Sequence, residues 1–376
     1  MIYLDYAADT PVCEAVLAAL ASGARAAYAN PNASHGMGRA TRAMLDAAGA
    51  HIAEMLGCKP AEWVLTSGAT EANNMAILGA ARAYRSHGQH IITTRMEHAS
   101  VTGAVMALKA EGFAVDFVNV APNGQVELDH LQTLLTEETV LVSLCAVDSE
   151  VGVIQPIQAI RKLLAAYPHC RLHVDATQAA GKLAVDLTGV DLFTLSPHKF
   201  FGLTGTGILV VRDGLRLAPL WHGGTGATPY RSGTPALALT LATEAALQDA
   251  FTAQAERLEA VKVLHSRLRE ALAALPFVVI NSPTGASPFT LNFSVTGISA
   301  QALIAQLSER EVCVSAKAAC CAPAAPSHPV LAMTGERKRA MNTVRVSLSH
   351  LTTVEEIDAF LRILTECAQC LEESRG

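Results

Sequence analysis

The sequence predicts an α/β protein, with a large domain on a mostly parallel seven-stranded sheet joined to a smaller α+β domain. Three observations lead there. Short β-rich runs recur at residues 63–66, 91–94, 115–120, 140–146, 172–174, 192–195 and 208–211. Most are separated by Ala- and Leu-rich stretches with apolar residues three or four apart, such as 73–84 and 157–167, the spacing of an amphipathic helix. This alternation suits a sheet covered by helices on both faces. Beyond Pro235 the pattern changes to one long helical stretch over 236–275, strand-like runs at 277–280, 290–295 and 344–347, a helix at 300–309 and a last helix from Val354. The expected division is a large domain over 12–250 and a small one from 1–11 and 251–376.

Length and composition narrow the function classes. A chain of 376 residues with 51% hydrophobic and 16% charged residues can bury large cores, which excludes disorder as its main state. No apolar run reaches the ~18 residues of a membrane span, so a soluble protein without membrane contact is expected. The segment from Met1 to Tyr6 lacks the basic start and apolar stretch of a signal peptide, which predicts a cytoplasmic location. A net charge of -6 gives no general attraction to nucleic acid. Nine cysteines, an odd number, argue against a closed set of disulfides. Cys13, Cys58, Cys145 and Cys170 lie in or beside apolar stretches and read as small buried hydrophobes. Cys367 and Cys370 would need two further ligands to hold zinc, and no nearby residue supplies them. Cys320 and Cys321 differ, because they sit in a loop of Ala, Pro and Ser.

Ligands of such sheets bind at the carboxyl ends of the strands, so the turns there carry the candidates. Thr66-Ser67-Gly68-Ala69-Thr70-Glu71 follows a strand and opens a helix. Its small residues let backbone N–H groups close on an anion, although the same residues suit a capped helix with nothing bound. His173-Val174-Asp175-Ala176-Thr177-Gln178 ends another strand, and Ser196-Pro197-His198-Lys199 ends a later one. A carboxylate and a lysine beside an anion cradle match the needs of pyridoxal phosphate: an amine for its aldehyde and an anion for its ring nitrogen. Read alone, Asp175 also suits a helix cap and Lys199 a surface position. Arg231-Ser232-Gly233-Thr234 is a turn with one guanidinium and two hydroxyls, a possible second set of phosphate contacts or only a loop.

Together, residues 64–73, Met96-Glu97-His98, 173–178, 196–199, 231–234 and the thiol loop at Cys320 resemble the IscS/NifS-like cysteine desulfurases. These are pyridoxal-phosphate enzymes of fold type I in the class V aminotransferase superfamily. Leu4-Asp5-Tyr6-Ala7-Ala8, Asn30-Pro31 and Ser34-His35 are similar to that family's opening segments. The resemblance implies conversion of L-cysteine to L-alanine, with a persulfide left on Cys320 for a sulfur-acceptor protein. It makes Lys199 the Schiff-base lysine, Asp175 the partner of the ring nitrogen, His98 the residue stacked on the ring and Gln178 the donor to its phenolic oxygen. Ala69, Thr70, Ser196 and His198 would hold the phosphate, with Thr234 reaching it from the other subunit of a homodimer. Arg345 would grip the substrate carboxylate, as a guanidinium can in two places.

Several positions depart from the family pattern. Asp148-Ser149-Glu150-Val151-Gly152 stands where the family usually reads Asn-Asn-Glu-x-Gly, so Ser149 replaces an asparagine that touches cofactor and substrate. Ser315-Ala316-Lys317-Ala318-Ala319-Cys320 has a lysine in place of the usual glycine, and Cys321 replaces a Thr or Ser. Gly226-Ala227-Thr228 replaces the usual charged triplet, and the chain reaches only Gly376, without the scaffold-contacting tail of longer members. Two other readings fit the same motifs: a selenocysteine or cysteine-sulfinate lyase or aminotransferase of the same fold, and a degenerate homologue acting as a scaffold. Nothing in the sequence selects among iron–sulfur assembly, tRNA thiolation, thiocofactor synthesis and DNA phosphorothioation as the destination of the sulfur.

Overall fold

The structure, a computed structural model, describes residues 1–26, 28–224, 228–317 and 325–373. Cys320, Cys321, Gly226 and Ala227 lie outside the described residues.

After β1 (Ile2–Tyr3), the apolar runs form β2 (Trp63–Thr66), β3 (His90–Thr93), β4 (Ala114–Phe117), β5 (Thr139–Cys145), β6 (Arg171–Asp175), β7 (Leu192–Leu195) and β8 (Gly207–Val211). These seven strands make one sheet in the order β2-β8-β7-β6-β5-β3-β4. Only β8 opposes its neighbours β7 and β2; the remaining pairs are parallel. Side chains alternate between two cores: Leu209 and Val211 face one, and Val210 between them faces the other. Every residue of β5 is buried, as cover on both faces requires.

The helices are α1 (Glu14–Ala26), α2 (Gly36–Met55), α3 (Ala69–Ala83), α4 (Ala99–Ala110), α5 (Leu128–Leu134), α6 (Ile157–Leu164) and α7 (Leu237–Thr252). The apolar faces of α3 and α4 cover one side of the sheet, and those of α6 and α7 the other. No helix among the described residues is long and apolar enough to cross a membrane.

The later part contains α8 (Gln254–Ala273), β9 (Val278–Ile280), β10 (Thr290–Val295), α9 (Ala300–Glu309), β11 (Val312–Cys313), α10 (His328–Thr334), α11 (Arg337–Met341), β12 (Thr343–Ser347) and α12 (Val354–Glu373). An antiparallel sheet, β12-β10-β9, packs with α8, α9 and α12 around Leu268, Phe293, Leu303, Val344 and Phe360. Leu4 joins this core from the start of the chain, where β1 pairs in parallel with β11. The single helix expected over 236–275 is two helices, divided at Ala253. The break lets the chain change cores, since Ala250 packs under the large sheet and Val261 under the small one.

Register then collects the site. Cys145 pairs with Asp175, and Asp175 with Thr194, so β5, β6 and β7 end level. Two antiparallel steps through β8 leave β2 running with β7, which brings the turn after Thr66 to the same edge.

Candidate active site

At that edge lies a cavity of about 370 Å³ whose wall includes Thr70, His98, Asp175, Gln178, Lys199 and Arg345. Its floor is the start of α3. Gly68 precedes the helix with φ of 153°, and no side chain caps the first turn, so the N–H groups around Ala69 and Thr70 are available to an anion. Close approach makes this turn possible: a Cβ on Gly207 of β8 would stand 2.4 Å from the carbonyl carbon of Gly68. Glu71 braces the turn by accepting from the Ser67 N–H and, at 2.7 Å, from Arg231 Nε. Burial alone would raise the Glu71 carboxyl, but these bonds outweigh it and hold it below the usual range.

Asp175 ends β6 buried, with its carboxylate held from two sides. Its Oδ1 accepts from the Thr177 N–H at 2.9 Å, and Oδ2 from Asn73 Nδ2 at 2.8 Å. Asn73 is fully buried on α3 and also donates to Ser100 Oγ at 2.9 Å. Ser100 in turn lies 2.8 Å from His98 Nδ1, which accepts the Ser100 N–H as the cap of α4. A neutral His98 ring therefore carries its proton on Nε2. One asparagine thus fixes both the carboxylate and the support of the imidazole.

Lys199 follows β7 in a short 3-10 turn and donates to the carbonyls of Ala7, at 2.9 Å, and Ala8. Burial, then the nearby Arg345 charge, lower its pKa to about 8, while Asp9, Asp5 and Asp175 pull the other way. His198 faces the cavity and is pushed down to about 4, by burial first and then by the Lys199 charge, which keeps it neutral. Ser196 is fully buried behind it, 2.8 Å from His198 Nδ1 and 2.9 Å from the Thr206 carbonyl, so it meets the cavity through the imidazole. Gln178 donates to the Ala7 carbonyl and accepts from Lys182 Nζ, both at 2.9 Å.

Arg345 projects from β12, its side chain almost wholly buried, and donates to the Ser149 carbonyl at 3.1 Å and Asp5 Oδ1 at 2.7 Å. Its Nε has no hydrogen-bond partner. Asp5 is held in turn by Ser315 Oγ at 2.7 Å. Ser149 thus meets the guanidinium through its backbone as well as lining the cavity. Thr234 stands apart, in a neighbouring hollow of about 350 Å³ that shares Ser67 and Gly205 with the cavity. Cys320 lies outside the described residues. No group of three or more potential metal ligands occurs among those described.

Sequence reasoning missed Asn73, Ser100, Thr194 and Lys182. Asn73 left one faint signal, a polar residue on a helix face otherwise made of Ala76, Ile77 and Ala80. Lys182 left none.

Comparison with known proteins sharpens the picture. The family model described as aminotransferase class-V matches residues 2–360. A protein of Dictyoglomus turgidum named cysteine desulfurase IscS is 34% identical over 96% of this chain and 93% of its own. A solved NifS-like protein superimposes with a TM-score of 0.91 at 33% identity, covering 98% of this chain and all 100% of the other. A structure titled SspA in complex with cysteine gives 0.82 at 30% identity, over 94% and 100%. Spanning nearly the whole length at these identities, with Asp175 and Lys199 gathered at one sheet edge, the chain belongs to the class-V aminotransferase family.

Proposed function

We propose that this protein is a pyridoxal-phosphate-dependent cysteine desulfurase that converts L-cysteine to L-alanine and leaves a persulfide on Cys320. One observation carries the reading: a single cavity presents an uncapped helix start, a buried carboxylate, an amine of lowered pKa and a guanidinium with an unpartnered N–H. The names of the relatives and the bound cysteine in one similar structure's title support it.

The donor set fits the cofactor. The Ala69 and Thr70 backbone with neutral His198 would hold its phosphate, and Thr234 of a second subunit would add to that seat. Asp175 would face the ring nitrogen, His98 the ring face and Gln178 the phenolic oxygen. Buried Thr177 Oγ1, which lacks a partner on the cavity wall, is one more donor suited to a bound anion. When bound, pyridoxal phosphate supplies the aldehyde and the electron sink.

The protein's own part is orientation and proton movement. Arg345 takes the substrate carboxylate through its guanidinium. Lys199, half neutral near pH 8, removes the proton from the substrate Cα. The Cys320 thiolate attacks the substrate Sγ. The Cβ–Sγ bond breaks with its electron pair left on carbon, Cβ takes a proton and Lys199 returns one to Cα, which gives alanine and the persulfide. Ser149 and Arg345 bound the space around the substrate.

Alanine formation from cysteine, lost in Lys199→Ala, tests the reaction. Mass spectrometry after proteolysis should find the extra sulfur on Cys320, and sulfur confined to Cys321 overturns that assignment. We also infer a homodimer in which Thr234 completes the partner's phosphate seat; a fully loaded monomer in the ultracentrifuge contradicts it. The hydrophobic core of the small sheet, distinct from those on the two faces of the large one, supports domains over 12–250 and over 1–11 with 251–376. We infer a cytoplasmic setting, with the sulfur passing to an acceptor protein.

A further inference from the structure

A second lysine sits behind the first. Lys182 is 7% exposed, and its Nζ donates to Gln178 Oε1 at 2.9 Å. The Gln178 amide is then committed: its oxygen is taken by Lys182, and one Nε2–H is given to the Ala7 carbonyl, which also accepts from Lys199. The second N–H is left for the cavity that Gln178 lines. A flipped amide would set its NH2 group against the donors of Lys182, a pairing that leaves buried polar groups unmatched.

We propose that Lys182 is a positioning residue that fixes the Gln178 carboxamide so that its N–H, and not its carbonyl, faces the phenolic oxygen of the bound cofactor. The inference rests on the role of Gln178 given under Proposed function. A lysine is costly to bury as a cation, and here burial, then the charges of Lys199 and Arg345, lower its pKa to about 7. Retaining an amine at such a place is explained by the acceptor it must hold.

The test uses purified holoenzyme and two readouts, the cofactor dissociation constant and its visible absorbance maximum, for Lys182→Met, Gln178→Ala and the double variant. Lys182→Met is expected to weaken cofactor binding about tenfold and to move the absorbance maximum in the same direction as Gln178→Ala. In the Gln178→Ala background Lys182→Met should change neither quantity further, because its target is gone. A full-sized effect of Lys182→Met in that background overturns the proposal, because the lysine then acts directly. Lys182→Gln, which retains an N–H donor without the charge, should keep the absorbance maximum. It also covers the case in which the methionine variant fails to fold, and a shift equal to that of Gln178→Ala in it counts against the proposal. If Gln178→Ala leaves binding and absorbance unchanged, the Gln178 reading fails and the inference with it. A shift in Gln178→Ala with none in Lys182→Met overturns the inference alone.

Discussion

Asn73 does more for the site than any other residue that sequence reasoning missed. It donates to Asp175 and Ser100, and its own oxygen accepts from Thr194 Oγ1 at 2.5 Å. Replacing it with alanine leaves a buried carboxylate short of a donor, a loss of about 1.5–3 kcal/mol that urea unfolding should report. Cofactor dissociation should rise with it. Arg345→Lys keeps the charge but loses the planar fork, so the KM for cysteine should rise about 100-fold with the cofactor absorbance unchanged. Exchange of the alanine Cα proton with deuterium should speed up as the pH rises through about 8, where Lys199 loses its proton, and vanish in Lys199→Ala. Asp175, His198 and Lys199 could be placed at the sheet edge from the sequence because each ends or follows a strand that the sequence shows. Asn73 could not be, because Asn74 beside it is chemically identical yet only half-buried, its side chain bonded to the Thr70 carbonyl within its own helix.

At the scale of elements, the strands of the large sheet could be read from continuous apolar runs, whereas α1 and α2 could not. Both helices are rich in Ala, and α2 is capped by His35, whose Nδ1 accepts the Gly38 N–H at 3.2 Å. His98 caps α4 in the same way. Neither belongs to the Ser, Thr, Asp and Asn set that marks helix starts in a sequence. The turn before α3 depends on a neighbouring strand, which no local pattern reveals. Gly207→Ala drives a Cβ into the Gly68 backbone and should cost about 1–3 kcal/mol. Because the displaced atoms form the anion seat, cofactor affinity should fall further than the unfolding free energy in a paired measurement of the two.

Over the whole molecule, a buried acid makes stability fall as the pH rises toward 8. Glu97 accepts from Thr94 Oγ1 at 2.7 Å, while its other oxygen has no partner. Burial above all, with the charges of Asp175 and Asp148 adding to it, raises its pKa to about 8, against about 4.3 in the unfolded chain. A raised folded pKa gives stability that is complete below the unfolded value and lost as the pH passes through the folded one. The Tm should therefore fall between about pH 4 and about pH 8, and Glu97→Gln should flatten that limb. The start of the chain has a different consequence. Leu4 packs in the second core, Asp5 holds Arg345 at a separation of 340 residues, Ala7 and Ala8 seat Lys199, and Thr10 donates to the His198 carbonyl. A ribosome makes residues 2–10 long before their partners at 311–347. During translation the segment over Lys199 lacks its partners at 311–347, and so prolonged a wait for distant partners slows maturation. Cofactor capture should therefore follow synthesis: nascent chains arrested before residue 311 should retain no pyridoxal phosphate, while released full-length chains should take it up.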